Sequence, residues 1–599
     1  MPTFARLLLL VLALLLHGPL AVMAEEFPKD TNEIESLTPE QARKLATEFP
    51  GVKVEFEVKG FGKQGLPGCL PLNGLKSLVA ETARALAGYG KGPLLLNGLT
   101  TLDAETAKAI AECKSDYLFL DGLTTLDADS AKALAEYKGT FLFLDGLTTL
   151  SPDTTKVLAG WKGQYLRLDG LTSLDADTAK GLAAFKGQML CLNGLTTFDA
   201  DAANVLAGWT GQYLCLDSLT TLKADTAKAL AEFKGGRSFN GLTTLDTATA
   251  KALAGFKGGL ILDGLTTLDA DAAEALSQFK GLLRLEGLTA LDADTAKALT
   301  AMRAWDGRLP GLTTLDADAA KALTAFKGSL GLNGLTTLDA DTAKVLAEST
   351  AWDGCLPGLA TLDADTANAL ATFKGRELFL GGLTTIDADT VKALAAFKGD
   401  LALTGITSLD ADAAKALAEF KGGALSLDGL TTLSDEAAAA LAQYEGTNLY
   451  LNGLTTLDAD TANALVGHKG VLYLNGLTTL SDEAATALAQ HEGYLSLDGL
   501  TTVDPDTAKA LAAAQNWDGT LYGITAFESP DSIAIAKALA TRKGPLALPN
   551  LKKISPKTLS ALIEKEDVKI PLIETLELIP EPDGSPTEDF VIPEGFRQQ

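Results

Sequence analysis

Histidine is almost missing from this chain, with three in 599 residues. One of them, His17, sits in an apolar N-terminal stretch, which leaves His468 and His491. That scarcity removes the commonest general base and zinc ligand. No Ser/His/Asp set, zinc-type Cys/His spacing or glycine-rich phosphate loop replaces it, so the sequence predicts no enzyme and no cofactor. Positive charge is short as well: 50 Lys and Arg stand against 77 Asp and Glu, a formal net charge of −27. Such a chain repels nucleic acid and anionic lipid, and neither is an expected partner. Cysteine stops at five, an odd number that leaves at least one thiol unpaired in a monomer.

Long hydrophobic runs are absent beyond the first residues. There, Arg6 precedes the apolar run Leu7 to Leu16, His17-Gly18-Pro19 breaks it, and small residues lead to Val22-Met23-Ala24 before Glu25-Glu26. This order predicts a secretory signal peptide over residues 1–24, cut after Ala24. The run is short for a bilayer span. The mature protein is then expected to be secreted, periplasmic or on the cell surface, with no membrane insertion after cleavage.

What the chain has in abundance is itself. The stretch Leu118 to Gly139, LFLDGLTTLDADSAKALAEYKG, returns almost unchanged at intervals of 23 or 24 residues. Counted on the leucine of its Gly-Leu pair, or the isoleucine in its place, twenty-one units run from Leu75 to Leu551. Periodicity at that length signals a solenoid rather than a row of separate domains.

Each unit reads as two halves. Leu118-Phe119-Leu120-Asp121 alternates apolar and variable residues, the period of a strand. Gly122 permits a close turn, and Leu123 and Leu126 point inward. From Asp127 the period becomes helical, with Ala131, Leu134, Ala135 and Tyr137 on one face. Asp127 is placed to cap the helix and Asp129 to sit in its first turn. Lys132 is expected to pair with Asp129, Lys138 to lie at the C-terminal end, and Gly139 to end the helix. The four recurring charges are thus accounted for by helix ends and a solvated surface.

These residues resemble a leucine-rich repeat, and are most similar to the cysteine-containing subclass, whose units read roughly LxLxxCxxITDxGLxxLA. Leu118, Leu120, Leu123, Leu126, Ala131, Leu134 and Ala135 take the matching places, with Leu123 where that subclass has cysteine. The resemblance spans about residues 36 to 578 and implies an α/β solenoid, with a parallel sheet on the concave face and short helices on the convex face. Strands stack about 4.8 Å apart and helices about 8–10 Å apart, so such a stack bends. At roughly 20° per unit, twenty-one units would overrun a circle, and a superhelix or flatter arc is expected. The expected divisions are an N-terminal cap with a degenerate repeat over 25–70, the array over 71–550, a capping repeat over 551–579 and an acidic flexible tail over 580–599.

Function is sought where the units differ. The outward strand position four before the Gly-Leu leucine varies most, and the position two residues on is mostly an acid or amide. Phe119 and Phe143 stand beside Asp121 and Asp145, Arg167 beside Asp169, and Tyr450 and Tyr473 beside Asn452 and Asn475. Aromatic rings next to polar groups suit a sugar ring or a basic peptide, although aromatic ladders also stabilise sheets unaided. Asp and Asn before Gly favour turns, and without a calcium-loop spacing they are not read as a metal site. Three units carry Trp305-Asp306-Gly307, Trp352-Asp353-Gly354 and Trp517-Asp518-Gly519, the first two followed by Pro310 and Pro357. Each tryptophan either lines a ligand notch or fills the space of a missing leucine. Cys191 and Cys215 share the varied position of successive units, within reach of a strand-to-strand disulfide, while Cys113 takes a helix-end core position.

Two functions fit. One is a secreted or periplasmic binding protein that recognises a protein or glycan ligand through the concave sheet. The other is a structural cell-envelope or surface protein that self-associates through its repeats.

Overall fold

The computed structural model describes residues 27–28, 30–58, 62–565, 567–582 and 584. The expected signal peptide and most of the expected tail lie outside the described residues. The chain divides into two compact units, Met1–Arg308 and Leu309–Gln599.

The N-terminal unit opens on the helix Pro39–Glu48, started by a capping box between Thr38 and Gln41. The strands Val52–Val58 and Gly62–Pro71 then pair antiparallel. Gly62–Pro71 also pairs parallel with Leu94–Leu95, and from there one strand per repeat extends an 11-stranded sheet, in chain order, to Leu283–Arg284. Register is strict: Leu118 lies beside Leu142, and Leu142 beside Leu166. The C-terminal unit holds a second sheet of six parallel strands, Glu377–Phe379 to Leu495–Ser496. Two short pairs follow it, Leu546–Ala547 with Val568–Lys569 and Lys553–Ile554 with Glu577–Leu578.

The repeating leucines make the core. Leu118, Leu120, Leu123 and Leu126 are buried, as are Ala131 and Leu134 on the helix opposite; each buried leucine contributes about 1.5–3 kcal/mol. Alanine on the inner helix face lets helix and sheet approach closely. Asp127 accepts the Ser130 N–H at 2.8 Å, a cap of about 1 kcal/mol that recurs along the array. The third helical residue adds a bond between units. Its hydroxyl donates to a carbonyl of the preceding repeat, as from Ser130 to Leu102 at 2.7 Å and from Thr249 to Leu222 at 3.0 Å.

Two local expectations differ from the structure. The helix ends at Leu134 with Ala135 as its cap, so Gly139 does not terminate it. Tyr137 instead folds inward, and its hydroxyl donates to Ser115 O at 2.8 Å. Gly139 is glycine because a Cβ there would lie 2.1 Å from the Tyr137 hydroxyl and 2.7 Å from Ser115 O. Nor does Lys132 pair with Asp129. Among the described residues that spacing yields one ion pair, Lys415 with Asp412 at 3.2 Å, because exposed pairs gain little over water.

The helix-end rings form their own column through the N-terminal unit. Tyr137, Trp161, Phe185, Trp209 and Phe233 stack at 5.5–6.4 Å. Trp161 and Trp209 each donate their indole N–H to the carbonyl of the preceding ring residue at 2.9 Å.

The Trp-Asp-Gly units are built for packing. Trp305, Trp352 and Trp517 are all buried, so no tryptophan lines an exposed notch. Each indole fills the core where the strand leucine is missing. The aspartate makes a tight turn, accepting the N–H two residues on: Arg308 at 3.1 Å, Cys355 at 3.0 Å and Thr520 at 2.8 Å. The glycine between takes φ of +81°, +81° and +79° in the three units, a region closed to most other residues.

Candidate functional site

The acid-or-amide position follows each strand, and its role is visible in the backbone. The side-chain Oδ1 at that position accepts the backbone N–H of the equivalent residue in the next repeat. In the N-terminal unit the relay runs from Asn32 through Asn73, Asn97, Asp121, Asp145, Asp169, Asn193, Asp217, Asn240 and Asp263 to Glu286, at 2.8–3.2 Å. In the C-terminal unit it runs from Asp428 through Asn452 and Asn475 to Asp498, each bond 2.9 Å. Aspartate and asparagine are interchangeable here because only an acceptor is needed. Pro310 and Pro357 occupy the same position in sequence and have no N–H to give. The glycine that follows is required by the same close approach: a Cβ on Gly122 would fall 2.0 Å from Asn97 O.

With one oxygen committed to this relay, the second carboxylate oxygen is left for other partners. In the N-terminal unit Arg167 uses it twice, donating to Asp145 Oδ2 at 2.7 Å and Asp169 Oδ2 at 2.8 Å. The three side chains are each less than one-fifth exposed, so the pairs are weakly screened. Burial and the neighbouring Asp121 carboxylate push the Asp145 pKa up to about 7, against the pull of Arg167. Burial likewise raises Asp121. Arg284 repeats the arrangement, reaching Asp263 at 2.7 Å and Glu286 at 3.0 Å.

Phe119 and Phe143 stack at 4.2 Å and 5°, but both are buried. Val54 and Leu66 of the antiparallel hairpin, with Tyr117, Phe141 and Tyr165, pack against them. Their ring faces are therefore interior, and the partly buried groups beside them belong to the outer strand position: Tyr117 and Phe141, stacked at 4.3 Å, then Tyr165. That second aromatic row was missed from sequence, although the period-2 alternation of the strand places it on the same face. Cys191 and Cys215 lie directly opposite each other on neighbouring strands. Both are buried thiols with Sγ atoms 3.0 Å apart, and Cys191 also donates to the Tyr165 hydroxyl at 3.4 Å.

In the C-terminal unit Tyr450 and Tyr473 stack at 4.3 Å and 6° and remain half-buried. Asn452 and Asn475 lie beside them in the relay. Serines flank the pair: Ser426 donates to Asp428 Oδ2 at 2.9 Å, and Ser496 to Asn475 Oδ1 at 2.8 Å. Tyr494, exposed on the same face, donates to Asp518 Oδ2 at 2.7 Å. Of the groups anticipated from sequence, the structure keeps Tyr450, Tyr473, Asn452 and Asn475 together, and brings Asp145, Arg167 and Asp169 into one ion cluster. Among the described residues no group of histidine, cysteine and carboxylate side chains is arranged to hold a metal ion.

Parallel strands in register, one helix per 23–24 residues and a leucine core between them define a leucine-rich-repeat solenoid of the α/β class. No family model matches the chain, and no curated protein does. Among solved structures it is similar to the chain of a TLR13–ssRNA13 complex, with 16% identity, 84% of this chain and 69% of that chain covered, and a TM-score of 0.38. It is also similar to chains of the Toll–Spätzle complex of Drosophila. The glycosylated form gives 12% identity, 94% and 77% coverage and a TM-score of 0.41; another structure of that complex gives 12%, 85% and 74%, and 0.36.

Proposed function

We propose that this protein is a non-catalytic recognition module that binds a protein or glycan ligand on the concave, sheet-bearing face of its solenoid, outside the cytoplasm. The observation that carries the reading is where the repeats differ. Core leucines and helix caps recur almost unchanged, while the outward strand positions of the C-terminal unit hold the partly exposed Phe379, Ser426, Tyr450 and Tyr473 beside the buried Ala402 and Ser496. Packing explains the constant positions; variety on an accessible face is what a recognition surface needs. The fold itself names no ligand. The excess of carboxylates on that face keeps nucleic acid and anionic membranes off it. The cleaved leader over residues 1–24, the cap over 25–70 and the capping repeat over 551–579 belong to the same reading.

The test is the solution behaviour of the mature chain. Light scattering should give a stable monomer, and a glycan array or envelope extract should yield a saturable ligand. Concentration-dependent sheets or filaments with no ligand would favour the structural alternative.

A further inference from the structure

The Asx relay fixes more than the backbone. Because Oδ1 of Asn452 and Asn475 is held by the next strand's N–H, the amide orientation is set, and each Nδ2 is turned away from the ladder. Neither Nδ2 has a partner among the described residues. The same row begins and ends in carboxylates. Asp428 Oδ2 takes only the Ser426 hydroxyl. Asp498 is the last member of the relay, since the next unit is the bulged Trp517-Asp518-Gly519 turn; its Oδ1 is buried without a partner, and its Oδ2 takes only a long bond, 3.5 Å, from the Ser496 hydroxyl. Strands about 4.8 Å apart therefore present acceptor, donor, donor, acceptor in a straight line. Tyr450 and Tyr473 run alongside, each with one ring face against the other and the opposite face above a serine, Ser426 or Ser496.

We propose that this row in the C-terminal unit, Asp428–Asn452–Asn475–Asp498 with Tyr450 and Tyr473, binds an uncharged glycan. Sugar hydroxyls both donate and accept, which matches a row of mixed carboxylates and amides. The apolar C–H face of a pyranose matches a tyrosine ring. Carboxylates at both ends of the row exclude anionic chains. A peptide fits less well, because beyond Tyr450 and Tyr473 the flanking row offers only Val471 and the exposed Tyr494, whose hydroxyl is already bonded to Asp518, as apolar anchors among the described residues. The inference rests on the recognition reading above and narrows it to one face and one ligand class.

The experiment titrates the full mature chain with uncharged oligosaccharides (cello-, xylo-, manno- and chito-hexaose), followed by calorimetry and tyrosine fluorescence. Asn452→Asp and Asn475→Asp are the decisive variants. They keep the Oδ1 acceptor, as Asp121 and Asp145 do elsewhere, but replace the amide donor. At least one sugar should bind, each Asn→Asp change should weaken it about tenfold, the loss of one hydrogen bond, and Lys132→Ala, on an exposed helix face of the N-terminal unit, should leave it unchanged. No binding by any of the four sugars, or binding indifferent to both Asn→Asp changes, overturns the inference. If a ligand is instead lost in Arg167→Ala and kept in the Asn→Asp variants, the recognition reading stands and only this assignment falls. A chain that binds nothing and assembles into filaments ends both.

Discussion

The backbone N–H of Asp121 donates to Oδ1 of Asn97 at 3.0 Å, and that one bond is copied from strand to strand along the N-terminal unit. It joins neighbouring repeats just beyond the short strands, where the ladder of two or three residues would otherwise stop. Asn97→Leu removes the acceptor and orphans the Asp121 amide, at a cost of about 1–3 kcal/mol; Asn97→Asp retains the acceptor and recovers most of it. Amide hydrogen exchange at Asp121 is the direct readout. It should accelerate in the leucine variant and stay protected in the aspartate one, and equal protection in both would refute the role.

Leucine columns, aspartate caps and the strand–helix alternation were legible in the sequence because each depends on residues close in the chain or on the repeat itself. The relay was half legible. The acid-or-amide preference stands out in the sequence, but its cause is a contact 24 residues away along the chain (Asp121 to Asn97), while the local pattern points only to turn chemistry and ligand contact. Phe119 is a similar case: its alternation marks it as outward, and its burial comes from contacts distant in the chain, Val54 and Leu66 of the hairpin together with Phe141 and Tyr165 of later repeats. The helix end was misplaced because Gly139, read as a terminator, makes room for the Tyr137 ring. Arg237 is a single break in a leucine column, and nothing in its local sequence marks it as buried.

Arg237 occupies the inward strand position between Leu214 and Leu260 and is fully buried. Its guanidinium lies 3.9 Å from the Phe256 ring centroid and 4.9 Å from that of Phe233. It donates to carbonyls of Leu230, Phe233 and Gly235, but Nε has no partner, and among the described residues no carboxylate pairs with it. Burial pulls its pKa down to about 9, which still leaves it charged at neutral pH. A cation held in a core by carbonyls and rings alone is a destabilising residue. Arg237→Leu restores the column and should stabilise the protein by about 1–4 kcal/mol, seen as a raised thermal midpoint; a lowered one would show the guanidinium to be a net asset.

Asp145 should titrate near neutrality, since burial and Asp121 hold its pKa at about 7. Its folded value lies above the ordinary 3.8, so the folded state binds this proton more tightly than the unfolded one. The resulting stabilisation is full below the ordinary value and is lost as pH rises through about 7. A carboxyl carbon NMR titration gives the midpoint directly. Arg167→Met removes the opposing pull and should move that midpoint further up. A midpoint in the ordinary carboxylate range would contradict the burial described here.

His468 and His491 respond to acid in the opposite sense. Both are buried in the helix-end column, stacked at 6.3 Å. His468 donates Nδ1–H to Tyr444 O at 3.0 Å and His491 donates Nε2–H to Gly470 O at 3.1 Å, while the other ring nitrogen of each is buried without a partner. Burial therefore lowers both pKa values below 6.5. Above that pH neither state is protonated. Below it the unfolded chain takes up protons first, and stability is lost as pH falls. Replacing both with phenylalanine, the residue at Phe397 and Phe420 in the same column, should flatten the stability of the C-terminal unit between pH 7 and 5, roughly the range in which histidine titrates. An unchanged acid slope in the double variant would place the sensitivity elsewhere.

Cys191 and Cys215 are the pair most ready for covalent change. They are direct partners on adjacent strands, which sets their Cα atoms about 4.8 Å apart, inside the range that accepts a disulfide. Exchange with oxidised glutathione would join the two sulfurs and break the glutathione S–S bond; the two thiol protons pass to the two glutathione thiols that form, with no net release. The bond closes a loop of one repeat, and a link of that size stabilises by about 3 kcal/mol where native geometry is kept. Protein treated with oxidised glutathione, then unfolded and alkylated, should show three reactive thiols of the five, with Cys191 and Cys215 recovered in one cross-linked peptide pair. Cys113, buried at a helix end, and Cys69 should stay reduced. Alkylation of both Cys191 and Cys215 after that treatment would show that the strands do not bring them together as described.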